Sequence, residues 1–238
     1  MKVASNSIQA HRGASGRFPE NTLRAFHEAW QAGVTSIETD LSLLADGTLA
    51  IFHDATLGRT ADGTAAISSL TADEVLCLDA GAWRGDQFVG ETVPLLRDIL
   101  DWQERTGLTF NWEMKCHADE QTAAAASLAA HLAGRDLTQT LVSSFDAAFI
   151  AAIRLACPSL TRALICDEIP AEWHALGRDL ELSAFHLDHE HVTGALVDEL
   201  HDAGYLVRVY TVNDTADMER MIEAGVDVMI TDYPERWL

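Results

Sequence analysis

Two short stretches carry acids and bases where an apolar strand is expected. In SIETDL (36–41), Glu38 and Asp40 are two residues apart; in LTFNWEMK (108–115), so are Glu113 and Lys115. Side chains on a strand alternate, so each pair shares a face. Around the first pair, Ile37, Leu41, Leu43, Leu44, Leu49, Ile51 and Phe52 suit a core. Glu38, Asp40, His53 and Asp54 do not, because buried charge without a partner is costly. Three carboxylates gathered in one place repel one another, so either some hold protons or a hard cation sits among them. Oxygen-only ligands suit Mg²⁺, Ca²⁺ or Mn²⁺ better than zinc. A lone E-x-D has a plainer reading, a salt-bridged or exposed strand end. Paired with E-x-K on a separate strand, it points to a site.

Three further residues stand at the same kind of position. His11 and Arg12 end the first strand-like run in AHRGASGRFPENT, and His53 ends another in FHD. Two imidazoles across a bound phosphodiester could act as general base and general acid near neutral pH. Arg12 and Lys115 could then neutralise the phosphate oxygens. Asp54 is placed to orient a loop or His53. His186 and Asp188, at the end of a later strand, are equally suited to lining the pocket or to a structural role. His27, His117, His131, His174, His189, His191 and His201 lie mostly in helices and loops and receive no role.

Such residues need elements that bring them together. Strand-like runs cover 7–11, 36–41, 48–53, 108–115, 140–145, 161–166, 183–188, 205–212 and 227–232. Helical patterns alternate with them: Leu23, Phe26 and Trp30 form one stripe ended by Gly33, and residues 94–106, 119–133, 146–156, 194–203 and 215–224 read similarly. That alternation predicts a parallel sheet. Only LLADGT separates the second run from the third, and a parallel crossover needs about a dozen residues. The third run is therefore expected to fold back through the Asp46-Gly47 turn. Eight strands remain, the count of a (β/α)8 TIM barrel of class α/β whose strand C-terminal ends build the site. Residues 55–93, rich in Gly, Thr and Asp with one short helical candidate (71–77), read as a small inserted subdomain in a single domain spanning 1–238.

Composition narrows the partners. The 238 residues are 48% hydrophobic, enough for a substantial core, and the 16 basic against 37 acidic residues give a net charge of −21. That excludes nucleic acid and stable membrane association as expectations and leaves a small-molecule substrate. An anionic one needs local positive charge from a metal ion or from Arg and Lys. Cys77, Cys116, Cys157 and Cys166 form no C-x-x-C pair. With no apolar leader in MKVASNSIQAHRG, they lead to the expectation of a cytoplasmic protein with free thiols.

The pattern as a whole resembles the glycerophosphodiester phosphodiesterase family. The matching residues are HRG (11–13), PENT (19–22), E-T-D (38–40), DGTLAIFHD (46–54), E-M-K (113–115), SSF (143–145), YTVN (210–213) and ITDYP (230–234). The likeness looks closest to short cytosolic bacterial members. It implies metal-dependent hydrolysis of glycerophosphodiesters to sn-glycerol 3-phosphate and an alcohol, a role in lipid and glycerol metabolism. Carried over by position, His11 and His53 are the acid–base pair, and Glu38, Asp40 and Glu113 hold one divalent cation, Mg²⁺ or Ca²⁺ with Mn²⁺ as a further option. Arg12 and Lys115 contact phosphate, and Tyr210 and His186 line the substrate pocket. The family picture has the glycerol 2-hydroxyl attack phosphorus to give a cyclic phosphate that water opens. Tyr210 departs from the family's usual Trp and leaves a polar edge on that wall. Glu20 and Asn21 are expected to fix the first loop, and Asp232 and Pro234 to close the last strand without chemistry. A related barrel phosphodiesterase acting on lysophospholipid or sphingolipid head groups is the alternative.

Overall fold

The short spacing after the second strand has the expected consequence. β1 (Ile8–His11), α1 (Leu23–Gln31) and β2 (Ser36–Leu43) form a parallel βαβ unit, and the chain then reverses at Asp46-Gly47, with Gly47 at φ +81°. β3 (Leu49–Ile51) runs back antiparallel on the end of β2, Leu41 opposite Ile51 and Leu43 opposite Leu49. This computed structural model describes residue 4, residues 7–117 and residues 119–238.

From there the alternation is regular. α2 (Ala72–Val75) lies in the 55–93 segment, followed by α3 (Leu96–Thr106), β4 (Thr109–Lys115), α4 (Gln121–Leu132), β5 (Thr140–Ser144) and α5 (Ala147–Ala156). β6 (Thr161–Cys166), α6 (Trp173–Asp179), β7 (Ala184–Asp188), α7 (Gly194–Asp202), β8 (Leu206–Tyr210), α8 (Thr215–Glu223) and β9 (Val228–Thr231) complete the chain. β2 pairs parallel with β4, each later strand with the next, and β1 with both β2 and β9. The ring is closed: eight parallel strands form a TIM barrel, with β3 outside it.

The outward strand faces are apolar and pack on helices. Phe110 of β4 meets Phe26 of α1 edge-on at 5.8 Å and stacks on Trp112 at 4.6 Å. The inward faces are partly polar: Gln9 Nε2 donates to Ser36 Oγ at 2.6 Å, and Ser143 Oγ to Asn111 Oδ1 at 2.9 Å. The 55–93 segment packs Leu57, Ala61, Ile67, Ala72, Val75, Ala80 and Val93 against Leu44, Ala50, Phe52 and Leu95.

Two elements differ from expectation. On α1 only Phe26 of the expected stripe faces the core; Leu23 and Trp30 stay 44% and 38% exposed, and Ala25 and Ala29 are buried instead. Small residues let α1 approach the strands closely, and the large ones sit on its flanks. α6 is absent from the sequence reading. It is seven residues long and carries Gly177, where a Cβ would lie 2.6 Å from Cζ of the Tyr205 ring. Close packing demands a helix-weakening residue there and erases the local signal.

Candidate active site

β2 and β4 lie side by side in a register that sets Asp40 opposite Glu113 and Ser42 opposite Lys115. Alternation then turns Glu38, Asp40, Glu113 and Lys115 into the barrel. One oxygen from each of Glu38, Asp40 and Glu113 lies within 4.8 Å of the other two, and all three residues are buried. Glu38 Oε2 accepts the Arg12 backbone N–H at 3.1 Å, whereas Glu38 Oε1 and Asp40 Oδ1 are buried without a hydrogen-bond partner among the described residues. Burial, then repulsion from Asp40 and Glu113, pushes the Glu38 carboxyl well above its usual range. Burial also raises Glu113, against the pull of Lys115. Asp40 goes the other way: burial opposes its charge, but Arg12, Lys115 and His53 hold it ionised.

The Lys115 ammonium is hydrogen-bonded to Glu113 Oε1 and stands 3.3 Å from Asp40 Oδ1. One ammonium and one guanidinium do not satisfy three buried acids. Orphaned oxygens, an all-oxygen donor set and a carboxyl forced toward protonation fit a divalent hard cation. The acidic cluster could hold such a metal.

The loop after β1 locks this cluster from the side. Asn21 donates from Nδ2 to Asp40 Oδ2 at 2.7 Å and accepts from Thr39 Oγ1 at 2.8 Å. Arg12 Nε lies 3.0 Å from Asp40 Oδ2. Both Arg12 and Asn21 take left-handed backbone angles, φ +54° and +57°, uncommon for residues with a side chain and here concentrated at the site. Gly13 beside them has φ +84°, and a Cβ on it would come 2.6 Å from the Ala25 backbone. Only glycine lets this loop lie flat on α1.

Both histidines are held the same way. His11 Nδ1 is 2.6 Å from Asp232 Oδ1, and His53 Nδ1 is 2.6 Å from Asp54 Oδ1. A carboxylate accepts but cannot donate, so each Nδ1 carries a proton and each Nε2 is left for other work. Burial lowers the His53 pKa, reinforced by Arg12 and Lys115 and opposed by Asp40. Burial opposes the Asp232 charge, but His11, Asn213 and Ser15 hold its carboxyl down at about 2.

A cavity of about 190 Å³ at the strand C-terminal ends gathers the parts. His11, Arg12, Glu38, His53, Glu113, Lys115, His186 and Tyr210 all line it, and Asp40 lies buried beneath. All nine residues singled out from the sequence therefore converge. A larger cavity of about 330 Å³, between α3 and α4 at the opposite strand ends, holds no such cluster; its Arg135 is paired with Asp101 and Glu104. His186 is 1% exposed, and its Nε2 has no hydrogen-bond partner among the described residues. Burial, then the nearby Arg208, holds that imidazole neutral by pushing its pKa well below normal. Tyr210 spends its hydroxyl on Cys166 O and Asp167 Oδ1, both at 3.1 Å, and offers its ring to the cavity beside Phe145. Its polar edge thus points away from the pocket. Asp188 Oδ1 instead accepts the Glu190 N–H at 2.9 Å and caps a turn.

Sequence reading missed several partners. Asp232, expected to have no chemistry, holds His11; Asn213 in turn holds Asp232 at 2.7 Å. Asn111 lines the cavity with a buried, unpartnered Nδ2. The equal register of Glu38 and Asn111, two strands both turned inward, is the signal that could have found it.

The profile of the Glycerophosphoryl diester phosphodiesterase family matches residues 11–236. The chain belongs to that family. As a glycerophosphodiester phosphodiesterase by family it is a hydrolase. A glycerophosphodiester phosphodiesterase of Caldanaerobacter subterraneus is 32% identical over 230 residues, covering 96% of this chain and 94% of the relative. The uncharacterized protein YqiK of Bacillus subtilis is also 32% identical, over 236 residues and 96% of each chain. Among solved structures, an Oleispira antarctica phosphodiesterase in complex with its product sn-glycerol-3-phosphate superposes with a TM-score of 0.92 at 31% identity, covering 97% of this chain and 94% of that one. A glycerophosphodiester phosphodiesterase from Agrobacterium tumefaciens gives 0.83 at 28% identity over 98% of both. No helix among the described residues of this phosphodiesterase is long and apolar enough to cross a membrane.

Proposed function

We propose that the chain hydrolyses glycerophosphodiesters to sn-glycerol 3-phosphate and an alcohol. His11 and His53 are the acid–base pair, and Glu38, Asp40 and Glu113 hold one divalent cation, Mg²⁺ or Ca²⁺ with Mn²⁺ as an alternative. The observation that carries this reading is one cavity shared by a buried carboxylate trio and two imidazoles, each tied through Nδ1 to a carboxylate. The product in the Oleispira antarctica relative supports the substrate class. When bound, such a cation polarises a phosphoryl oxygen and makes a coordinated hydroxyl more acidic.

The protein's own groups do the rest. With Nδ1 anchored, each ring works through Nε2. One Nε2 takes the proton of the attacking glycerol 2-hydroxyl, and the other, as imidazolium, gives its proton to the leaving alkoxide. The two then exchange roles as water opens the cyclic phosphate. Arg12 and Lys115 bind the phosphate oxygens, and the Tyr210 ring walls the leaving alcohol. His186, neutral and with Nε2 unpartnered, hydrogen-bonds the substrate. The same reading makes the chain a single catalytic domain with residues 55–93 as an insertion beside the glycerol pocket. It also makes it a cytoplasmic protein of lipid and glycerol metabolism, consistent with four free cysteines.

The test is product release. Glycerophosphocholine and glycerophosphoethanolamine, with Mg²⁺, Ca²⁺ or Mn²⁺, should yield glycerol 3-phosphate, and a chelator should stop it; sphingomyelin and lysophosphatidylcholine should be spared. His11→Ala and His53→Ala should each cut turnover at least about 100-fold, as expected for a lost acid or base. No product from any glycerophosphodiester with any of these metals defeats the reading.

A further inference from the structure

Arg59 lies in the 55–93 segment, outside the cavity lining, yet it clasps two carboxylates at once. Its Nε and Nη2 donate to Asp54 at 2.6 and 3.0 Å, and its Nη1 and Nη2 donate to Glu20 at 2.8 Å each. Both acids pass the contact inward. Asp54 Oδ1 meets His53 Nδ1 at 2.6 Å, and Glu20 Oε1 accepts from Arg12 Nη1 at 2.7 Å. Arg12 Nε in turn lies 3.0 Å from Asp40 Oδ2. His53, Asp54, Arg59, Glu20, Arg12 and Asp40 thus form one unbroken chain of contacts from the rim down to the buried Asp40.

Only a planar fork can do this. Four of the five guanidinium N–H bonds are spent on two bidentate clasps, an arrangement a lysine ammonium cannot copy. Without Arg59 the carboxylates of Asp54 and Glu20 would face each other with no cation between them and swing apart. Asp54 would no longer fix the His53 ring, nor Glu20 the Arg12 guanidinium. The Arg59 side chain is itself 45% exposed, so its ion pairs are screened and add little to folding.

Resting on the hydrolytic reading above, we propose that Arg59 is a positioning residue. By holding Asp54 and Glu20 together it orients the His53 imidazole and the Arg12 guanidinium in one step, so seating the insertion on the barrel mouth completes the site.

Arg59→Ala and Arg59→Lys test this. Both should lower kcat about 10- to 100-fold, the range for a lost outer partner of a working residue. Tm should fall by no more than about 4 °C, the effect of an exposed pair. Adding Arg59→Ala to the Asp54→Asn, Glu20→Gln double variant should cost less than about threefold more, because Arg59 acts through those two carboxylates. A merely structural role would not move the downfield Nδ1–H proton resonance of His53, identified by its loss in His53→Gln. It should broaden or shift in Arg59→Ala. An unchanged His53 resonance, or kcat within about threefold of the parent, overturns the proposal. Because the resonance needs no turnover, an inactive parent whose His53 signal still responds to Arg59 defeats the functional reading alone.

Discussion

Asp232→Asn is a near-isosteric change whose consequence can be worked out atom by atom. Asp232 Oδ1 meets His11 Nδ1 at 2.6 Å and Ser15 Oγ at 2.9 Å, and Oδ2 accepts from Asn213 Nδ2 at 2.7 Å. Asn213 cannot turn over, because its Oδ1 already accepts from the Asp232 backbone N–H at 2.9 Å and from Thr231 Oγ1 at 3.1 Å. An amide at 232 must therefore aim its oxygen at Asn213 and its NH₂ at His11. Facing a donor, Nδ1 is satisfied only without its proton, which moves to Nε2 in the neutral ring. His11 would then show the cavity an N–H in place of a lone pair.

The tautomer normally held is favoured by one hydrogen bond to a charged group, about 1.5–3 kcal/mol. At 1.36 kcal/mol per decade that is about 10- to 150-fold in kcat. Stability should fall as well. An Asp232 carboxyl held at about 2 rather than 3.8 favours the charged state by about 2.5 kcal/mol. That contribution is present above pH 3.8 and lost as pH falls through 2, because the folded state binds its proton less readily. At pH 7 the variant should lose up to about 5–10 °C of Tm. Glycerol 3-phosphate release would be followed at saturating metal, with kcat and KM separated and the tautomer read by ¹⁵N NMR of the ring. Turnover within about threefold of the parent, with the proton still on Nδ1, refutes the reasoning.

Two further changes probe the buried charges. Glu38→Gln removes a carboxyl repelled by Asp40 and Glu113, so the metal-free Tm should hold or rise, while the gain on adding Mg²⁺ or Ca²⁺ disappears. In the parent that gain should be about 2.7 kcal/mol at a metal concentration 100 times Kd; a variant that keeps it shows Glu38 is no ligand. His186→Leu concerns pH: the folded imidazole stays neutral where an unfolded histidine, with its ordinary pKa of 6.5, takes a proton. More protons on the unfolded state mean stability lost as pH drops below 6.5, by up to about 1.4 kcal/mol per pH unit. The urea-unfolding stability of the variant relative to the parent should therefore climb by about 2 kcal/mol between pH 7 and 5. Parallel pH curves would show that His186 protonates in the fold.

What could be read from the sequence followed from cost. Glu38, Asp40, Glu113 and His53 stand out because apolar neighbours make their charge expensive, and strand alternation already places each pair on a common face. The fold-back of β3 follows from a connection too short for any crossover. Helix placement followed from apolar spacing: it located α1 but not its whole buried face, and it missed α6. Ala25 and Ala29 join Phe26 on the buried face of α1, and Gly177 makes room for Tyr205 in α6. Close approach selects against the bulky residues that a periodicity search counts.

The two histidine clamps show where such reading stops and what would extend it. Asp54 adjoins His53 and invites a role by proximity alone, whereas Asp232 lies 221 residues from His11 and has no local pattern around it. Yet ring closure makes the pairing predictable. Eight parallel strands in a closed barrel oblige the last to lie beside the first, and here Gln9 pairs with Ile230 and Ala10 with Thr231. One more step along that register sets His11 against Asp232. Because both continue the inward-facing rows of Gln9 and Ile230, their side chains must meet at the mouth. Any acid two residues past the inward-facing position of the last strand should therefore be weighed as a partner for a histidine ending the first, on topology alone.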